Sequence, residues 1–139
     1  IMSLMYHAVS KNKIPYIFMN GFLIGTYITR LEALADYYAE TIEDEGDEAV
    51  ILCFDSTDID LKLNPDFAGL EEPISTVLKS ELGIYLDEDE LWDEWEATNQ
   101  TGDDCMVLIG SARLGVVISP DRILVSDFDG FAPLLEYSE

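Results

Sequence analysis

Gly25-Thr-Tyr-Ile-Thr-Arg-Leu-Glu-Ala-Leu-Ala-Asp-Tyr-Tyr-Ala-Glu40 is the stretch whose reading decides the fold. The apolar and aromatic residues over 22–28 predict a strand ending near Tyr27. Thr29-Arg-Leu-Glu32 then has the spacing of a capping box, in which the hydroxyl and the carboxylate satisfy free N–H groups of a first helical turn. Leu31, Leu34, Ala35, Tyr38 and Ile42 recur on one helical face, so an amphipathic helix is expected to follow. Tyr37 and Tyr38 would stand on that helix within reach of Tyr27. The acidic loop Glu43-Asp-Glu-Gly-Asp-Glu48 ends it.

Outward from this unit, residues 4–9 read as a short strand carrying His7, the only histidine. Residues 10–20 hold Ile14, Ile17 and Phe18 at helical spacing, with Pro15 near the start and Gly21 as the stop. The continuous apolar run 49–54 predicts a buried central strand. A long polar connection over 55–71 leads to a helix opened by Pro73, with Ile74, Val77, Leu78 and Leu82 inward and Gly83 at its end. Asp87 and Glu90 can cap a short acidic helix bearing Leu91, Trp92 and Trp95. Trp92 and Trp95, three apart, serve either as core residues or as an anchor for a partner protein. Residues 105–109, 115–118 and 123–126 read as strands. Helices mixed with strands early, then a strand-rich second half, predict an α+β domain. It is expected over residues 5–139, with Ile1 and the three residues after it as a cloning remnant.

Seven basic and twenty-nine acidic residues give a net charge of −22, and the charge is unevenly placed. Up to residue 40, Lys11, Lys13 and Arg30 balance Glu32, Asp36 and Glu40, so the whole excess lies beyond that point. Such a charge opposes direct binding to nucleic acid and to anionic membranes and suits a basic protein partner, although a solvated acidic surface is the simpler reading. No apolar run reaches the roughly 18 residues that span a bilayer, and no signal-peptide pattern is read. Cys53 and Cys105 both sit in apolar runs, as expected of reduced thiols in the cytoplasm. One His and two isolated Cys offer no zinc spacing.

Phosphate-binding glycine loops and a G-x-S-x-G elbow are both missing. Asp55, Asp58 and Asp60 lack the Gly and distal Glu of a calcium loop. The pairs Asp103-Asp104 and Asp127-Phe-Asp129 are of the kind a very acidic chain contains by chance, and a two-carboxylate hydrolase does not follow from them.

What stands out is an ordered set of short motifs. Tyr6-His7-Ala8-Val9, followed by Asn20-Gly21-Phe22, resembles the "Tyr-His-Gly-Thr … Asn-Gly-Leu" opening of the ADP-ribosyltransferase superfamily, which includes the NAD-dependent RNA 2′-phosphotransferases. Gly25-Thr-Tyr27-Ile-Thr is similar to its "Gly-Tyr-Leu-Thr" strand end, and Ala35-Asp-Tyr-Tyr38-Ala to its "Ala-x-x-Tyr-Ala" helix. The run from Ala49 to Asp60 resembles the following strand and acidic turn, and Ile118-Ser-Pro-Asp-Arg-Ile123 the "Ile-Pro-Pro-Glu-x-Ile" segment. The resemblance implies a split, mostly antiparallel sheet with flanking helices and a site for NAD, used as substrate. His7 would hold the adenosine ribose, the backbone of Ala8 the nicotinamide amide, and Tyr27 and Tyr38 the two faces of the ring, with Tyr37 as the alternative to Tyr38. An aromatic sandwich beside a backbone edge suits a flat, electron-poor carboxamide ring.

The family's strand Glu, which steadies the cationic centre as nicotinamide leaves, has no counterpart in Arg113-Leu-Gly-Val-Val-Ile118. Asp104, or Asp103 beside it, is the nearest acid preceding that strand, and Ser111 and Arg113 are the nearest polar residues. The resemblance thus implies a mono-ADP-ribosyltransferase, of the kind a bacterium or phage aims at a nucleic-acid-handling protein. The alternative is a non-catalytic acidic module, or nucleic-acid mimic, that occupies a basic groove.

Overall fold

A computed structural model describes residues 2–127 and 130–136 and shows an α+β arrangement. In chain order the elements are β1 (Leu4–Ser10), α1 (Ile14–Asn20), β2 (Tyr27–Thr29), α2 (Glu32–Asp44), β3 (Ala49–Asp55), α3 (Phe67–Glu71), α4 (Ser75–Leu82), α5 (Glu88–Glu96), α6 (Gly102–Ile109), β4 (Ser111–Arg113), β5 (Leu124–Asp127) and β6 (Gly130–Pro133). The strands form one antiparallel sheet in the order β4-β2-β1-β3-β5-β6. The expected split sheet is therefore replaced by a continuous one. Its weak seam lies between β1 and β2, whose ladder pairing is confined to Tyr6 opposite Thr29. The expected remnant's Ile1 and the acids' partner Asp129 lie outside the described residues.

Strand alternation sorts the core. Met5, Val9, Leu52, Phe54 and Val125 point to one face, where α1 supplies Ile14 and Ile17. Tyr6 and Cys53 point to the other and meet Ala35 of α2. Helices thus cover both faces. A second core of Leu70, Leu91, Trp95, Cys105 and Ile109 joins α3, α5 and α6. Burying each of its large side chains contributes about 1.5–3 kcal/mol. Asp87 caps α5 by accepting from the Glu90 N–H at 2.8 Å, and Gly83 closes α4 in the left-handed region, as their positions predict.

Three local expectations give way. Residues 105–109 are helical. Thr101 and Asp104 form a reciprocal capping box, and Gly110 at φ 75° closes the helix, which outweighs the strand-like look of a short apolar run. The strand expected over 115–118 lies earlier, at Ser111–Arg113, and Ile118 instead makes an isolated bridge to Phe22. β2 begins at Tyr27 instead of ending there, and α2 opens at Glu32. The Thr29 hydroxyl is committed elsewhere: it donates to the Gly110 carbonyl at 2.6 Å and accepts from the Leu31 N–H at 3.0 Å, so no capping box forms with Glu32.

The polar connection before α3 is also ordered by the sheet. Asn64 and Arg113 exchange backbone hydrogen bonds of 2.9 and 2.8 Å, and the Gly115 N–H donates to the Leu61 carbonyl at 3.0 Å. Residues 61–66 thus cover the free edge of β4. Gly102 at the start of α6 lets this segment approach, since a Cβ there would lie 2.2 Å from the Leu63 carbonyl carbon and oxygen. Gly102→Ala is expected to lower the unfolding free energy by about 1–3 kcal/mol through overpacking, measured by urea denaturation. A variant as stable as the parent would show that α6 and the 61–66 segment do not need this close approach.

Candidate functional site

Three tyrosines converge where the register places them. Thr29 stands opposite Tyr6, so Tyr27, two residues earlier, shares that face and looks toward α2. Tyr38 on α2 meets it edge-on with ring centres 5.2 Å apart, and Tyr37 lies 5.7 Å from Tyr38. With Ala8, Asp66 and Arg113 they line a cavity of about 550 Å³, with Glu72 exposed at its rim. The Tyr27 hydroxyl is buried beside Tyr38 and Thr29, and burial, the largest influence, pushes its pKa well above the usual phenol value.

His7 does not join this cavity. It stands opposite Leu52, so it leaves the strand on the face of Met5 and Val9. Its ring packs edge-on against Phe22 at 5.3 Å and comes within 6.4 Å of the Tyr27 ring centre across the seam between β1 and β2. The expectation of one shared cleft is corrected by strand alternation. His7 instead lines a neighbouring cavity of about 660 Å³ with Ser10, Asn12, Lys13 and Tyr16, and the two cavities share Ala8 and Ile42.

The acids are also rearranged. Asp104 is consumed in the cap of α6, where its carboxylate accepts from the Thr101 N–H at 3.2 Å and hydroxyl at 2.9 Å. Neither Asp103 nor Asp104 lines the tyrosine cavity. The acid at its floor is Asp66, only 2% exposed, from the connection that reads as polar loop in the sequence. The edge pairing of Asn64 with Arg113 carries Asp66 to Ser111, whose hydroxyl donates to its Oδ2 at 3.1 Å. Arg113 Nη2 lies 3.5 Å from Oδ1, which accepts no hydrogen bond. The same guanidinium donates from Nη1 to the Gly25 carbonyl at 3.3 Å and sits 5.9 Å above the centre of the Tyr27 ring. The cavity takes its charged groups from beyond the charge-balanced first forty residues and holds two acids and one cation.

Neither cysteine lines this cavity. Burial pushes the Cys53 thiol up to about 12 and Cys105 up to about 11, so both stay protonated. No metal-holding group of His, Cys, Asp and Glu occurs among the described residues, and no helix among them is long and apolar enough to cross a membrane. Comparison with family models, with curated proteins and with solved structures gives no match.

Burial lowers the His7 pKa to about 4; a backbone hydrogen bond at Tyr27 acts the other way, and the Arg113 charge adds to the lowering. The folded protein then binds fewer protons than the unfolded chain below pH 6.5. Stability linked to His7 is full above that pH and is lost as pH falls toward 4. In urea unfolding of the wild type and His7→Gln, the wild type is expected to lose about 1–3 kcal/mol relative to the variant between pH 7 and pH 4. Parallel pH profiles would mean that His7 titrates alike in both states.

Proposed function

We propose that the chain binds NAD⁺, with the nicotinamide ring in the tyrosine cavity and the rest of the dinucleotide passing over Ala8 into the cavity beside His7. The observation that carries this reading is the pair of adjoining cavities that meet at Ala8, one walled by three tyrosines and floored by Asp66, the other bordered by Lys13, Asn12 and Ser10. The first suits a flat cationic ring, because tyrosine faces attract positive charge and a buried carboxylate with an unbonded oxygen can receive an amide N–H or a ribose hydroxyl. The second offers a lysine and two polar side chains for a phosphate and a sugar. A ligand with two ends and an anionic middle matches both.

This reading keeps the ADP-ribosyltransferase-like assignment as its frame and alters its parts. Tyr27 and Tyr38 stack on the ring, Tyr37 closes its open side, and His7 faces the adenosine end from the opposite sheet face. The carboxylate nearest the ring is Asp66, held by Ser111 and Arg113. Transfer of ADP-ribose to a protein would use that acid to steady positive charge beside the leaving ring.

A second reading draws on α5. Leu91 and Trp95 face the core, while Glu88, Asp89, Glu90, Asp93, Glu94 and Glu96 are all exposed. That face favours docking of a basic protein by charge, alone or as the acceptor of transfer.

In isothermal calorimetry, Tyr27→Ala is expected to weaken NAD⁺ binding at least tenfold, the loss of stacking and of buried ring area together amounting to about 1.5–3 kcal/mol. Asp104→Asn is expected to leave binding within twofold, since its carboxylate belongs to the α6 cap. An absence of heat at millimolar NAD⁺, alongside salt-sensitive binding of a basic protein, would leave the acidic-module reading in its place.

A further inference from the structure

We infer that the tyrosine cavity selects planar cations, and that Arg113 acts as its built-in occupant, which an entering ligand displaces. The inference rests on the nicotinamide reading for the identity of the natural ligand but not for the chemistry of the site.

Asp66 is the starting point. Its carboxylate is 2% exposed, yet its stabilising contacts are few: one hydroxyl bond from Ser111 to Oδ2, and a 3.5 Å approach of Arg113 to Oδ1 without hydrogen-bond geometry. A carboxylate removed from water normally acquires two or three good donors. Oδ1 is buried and accepts no hydrogen bond. Arg113 supplies charge there but divides its guanidinium among the Gly25 carbonyl, Asp66 and the Tyr27 face, and its side chain is 40% exposed. It is placed as a planar cation laid against an aromatic ring, loosely held and with an open way out. Arginine and an N-alkylated pyridinium share flatness, positive charge and affinity for tyrosine faces.

Two consequences separate this from an ordinary aromatic pocket. The ligand's charge must matter, because a neutral ring cannot replace what Arg113 gives Asp66. Removing Arg113 must also strengthen cation binding, because it removes the competitor and leaves the Asp66 charge for the ligand. An Arg113 that merely props the cavity open, or that binds an anionic part of the ligand, would have the opposite effect.

The test compares 1-methylnicotinamide, a planar cation, with neutral nicotinamide on the wild-type protein, and NAD⁺ with its reduced, uncharged-ring form NADH, all by calorimetry. At least tenfold preference for each charged member is expected. Arg113→Met should then bind 1-methylnicotinamide more tightly, by about tenfold, and Asp66→Asn should erase the preference. Equal binding within each ligand pair, or weaker cation binding by Arg113→Met, overturns the inference even if NAD⁺ binds. Selective binding of 1-methylnicotinamide without any binding of NAD⁺ overturns the dinucleotide reading and upholds this one. If Asp66→Asn fails to fold, the ligand pairs on the wild type still decide. Binding of none of the four ligands overturns both.

Discussion

The bridge between Asn64 and Arg113 is the contact on which the candidate site depends. Two backbone hydrogen bonds attach a loop to the exposed edge of a three-residue strand. Without them β4 would present unpaired peptide groups to solvent, and Asp66 would have no reason to lie beside Ser111. With them, a side chain distant in sequence becomes the floor of a tyrosine-walled cavity. The interaction is generic backbone pairing, but it decides which acid the site contains.

This explains where the sequence was legible and where it was not. The helix of Leu34, Ala35 and Tyr38, the central strand over 49–55 and the capping residues Asp87 and Gly83 follow from periodicity and local hydrogen bonding, which are written within a few residues of one another. The convergence of Tyr27, Tyr37 and Tyr38 follows too, because a strand leading into a helix keeps its ends close. Asp66 left no local trace. Its burial is set by pairing with residues about 45 positions away, and Asn64-Pro-Asp66 looks like any polar loop. The nearest signal was Asp66 preceding the apolar Phe67-Ala-Gly-Leu70, which marks a chain entering a core.

The misread pieces each have a physical origin. Thr29 could cap a helix by its sequence, but the sheet places its hydroxyl against Gly110. Residues 105–109 could be a strand by composition, but Thr101 and Asp104 close a helical turn ahead of them. His7 could face Tyr27 if strands were read as strings of neighbours, but the Tyr6–Thr29 register turns it to the other side. Each segment was compatible with two states; a partner remote in sequence chose for Thr29 and His7, and an adjacent cap chose for 105–109.

The anchoring of α6 has a further meaning for recognition. Its first turn bears on Leu63 through Gly102, and its last carbonyls, Met106 and Val107, accept from Arg30 at 3.0 and 3.1 Å. Gly110, just past its end, accepts from Thr29. One helix thereby clamps the segment that delivers Asp66 and the segment that joins Tyr27 to α2. The two walls are fixed to a common strut and cannot spread independently. A ligand entering between them would meet surfaces whose conformational freedom was lost during folding, so little of its binding energy would go into ordering the protein. Discrimination then falls to shape and charge, and the half-exposed Arg113 is the cationic group in the wall.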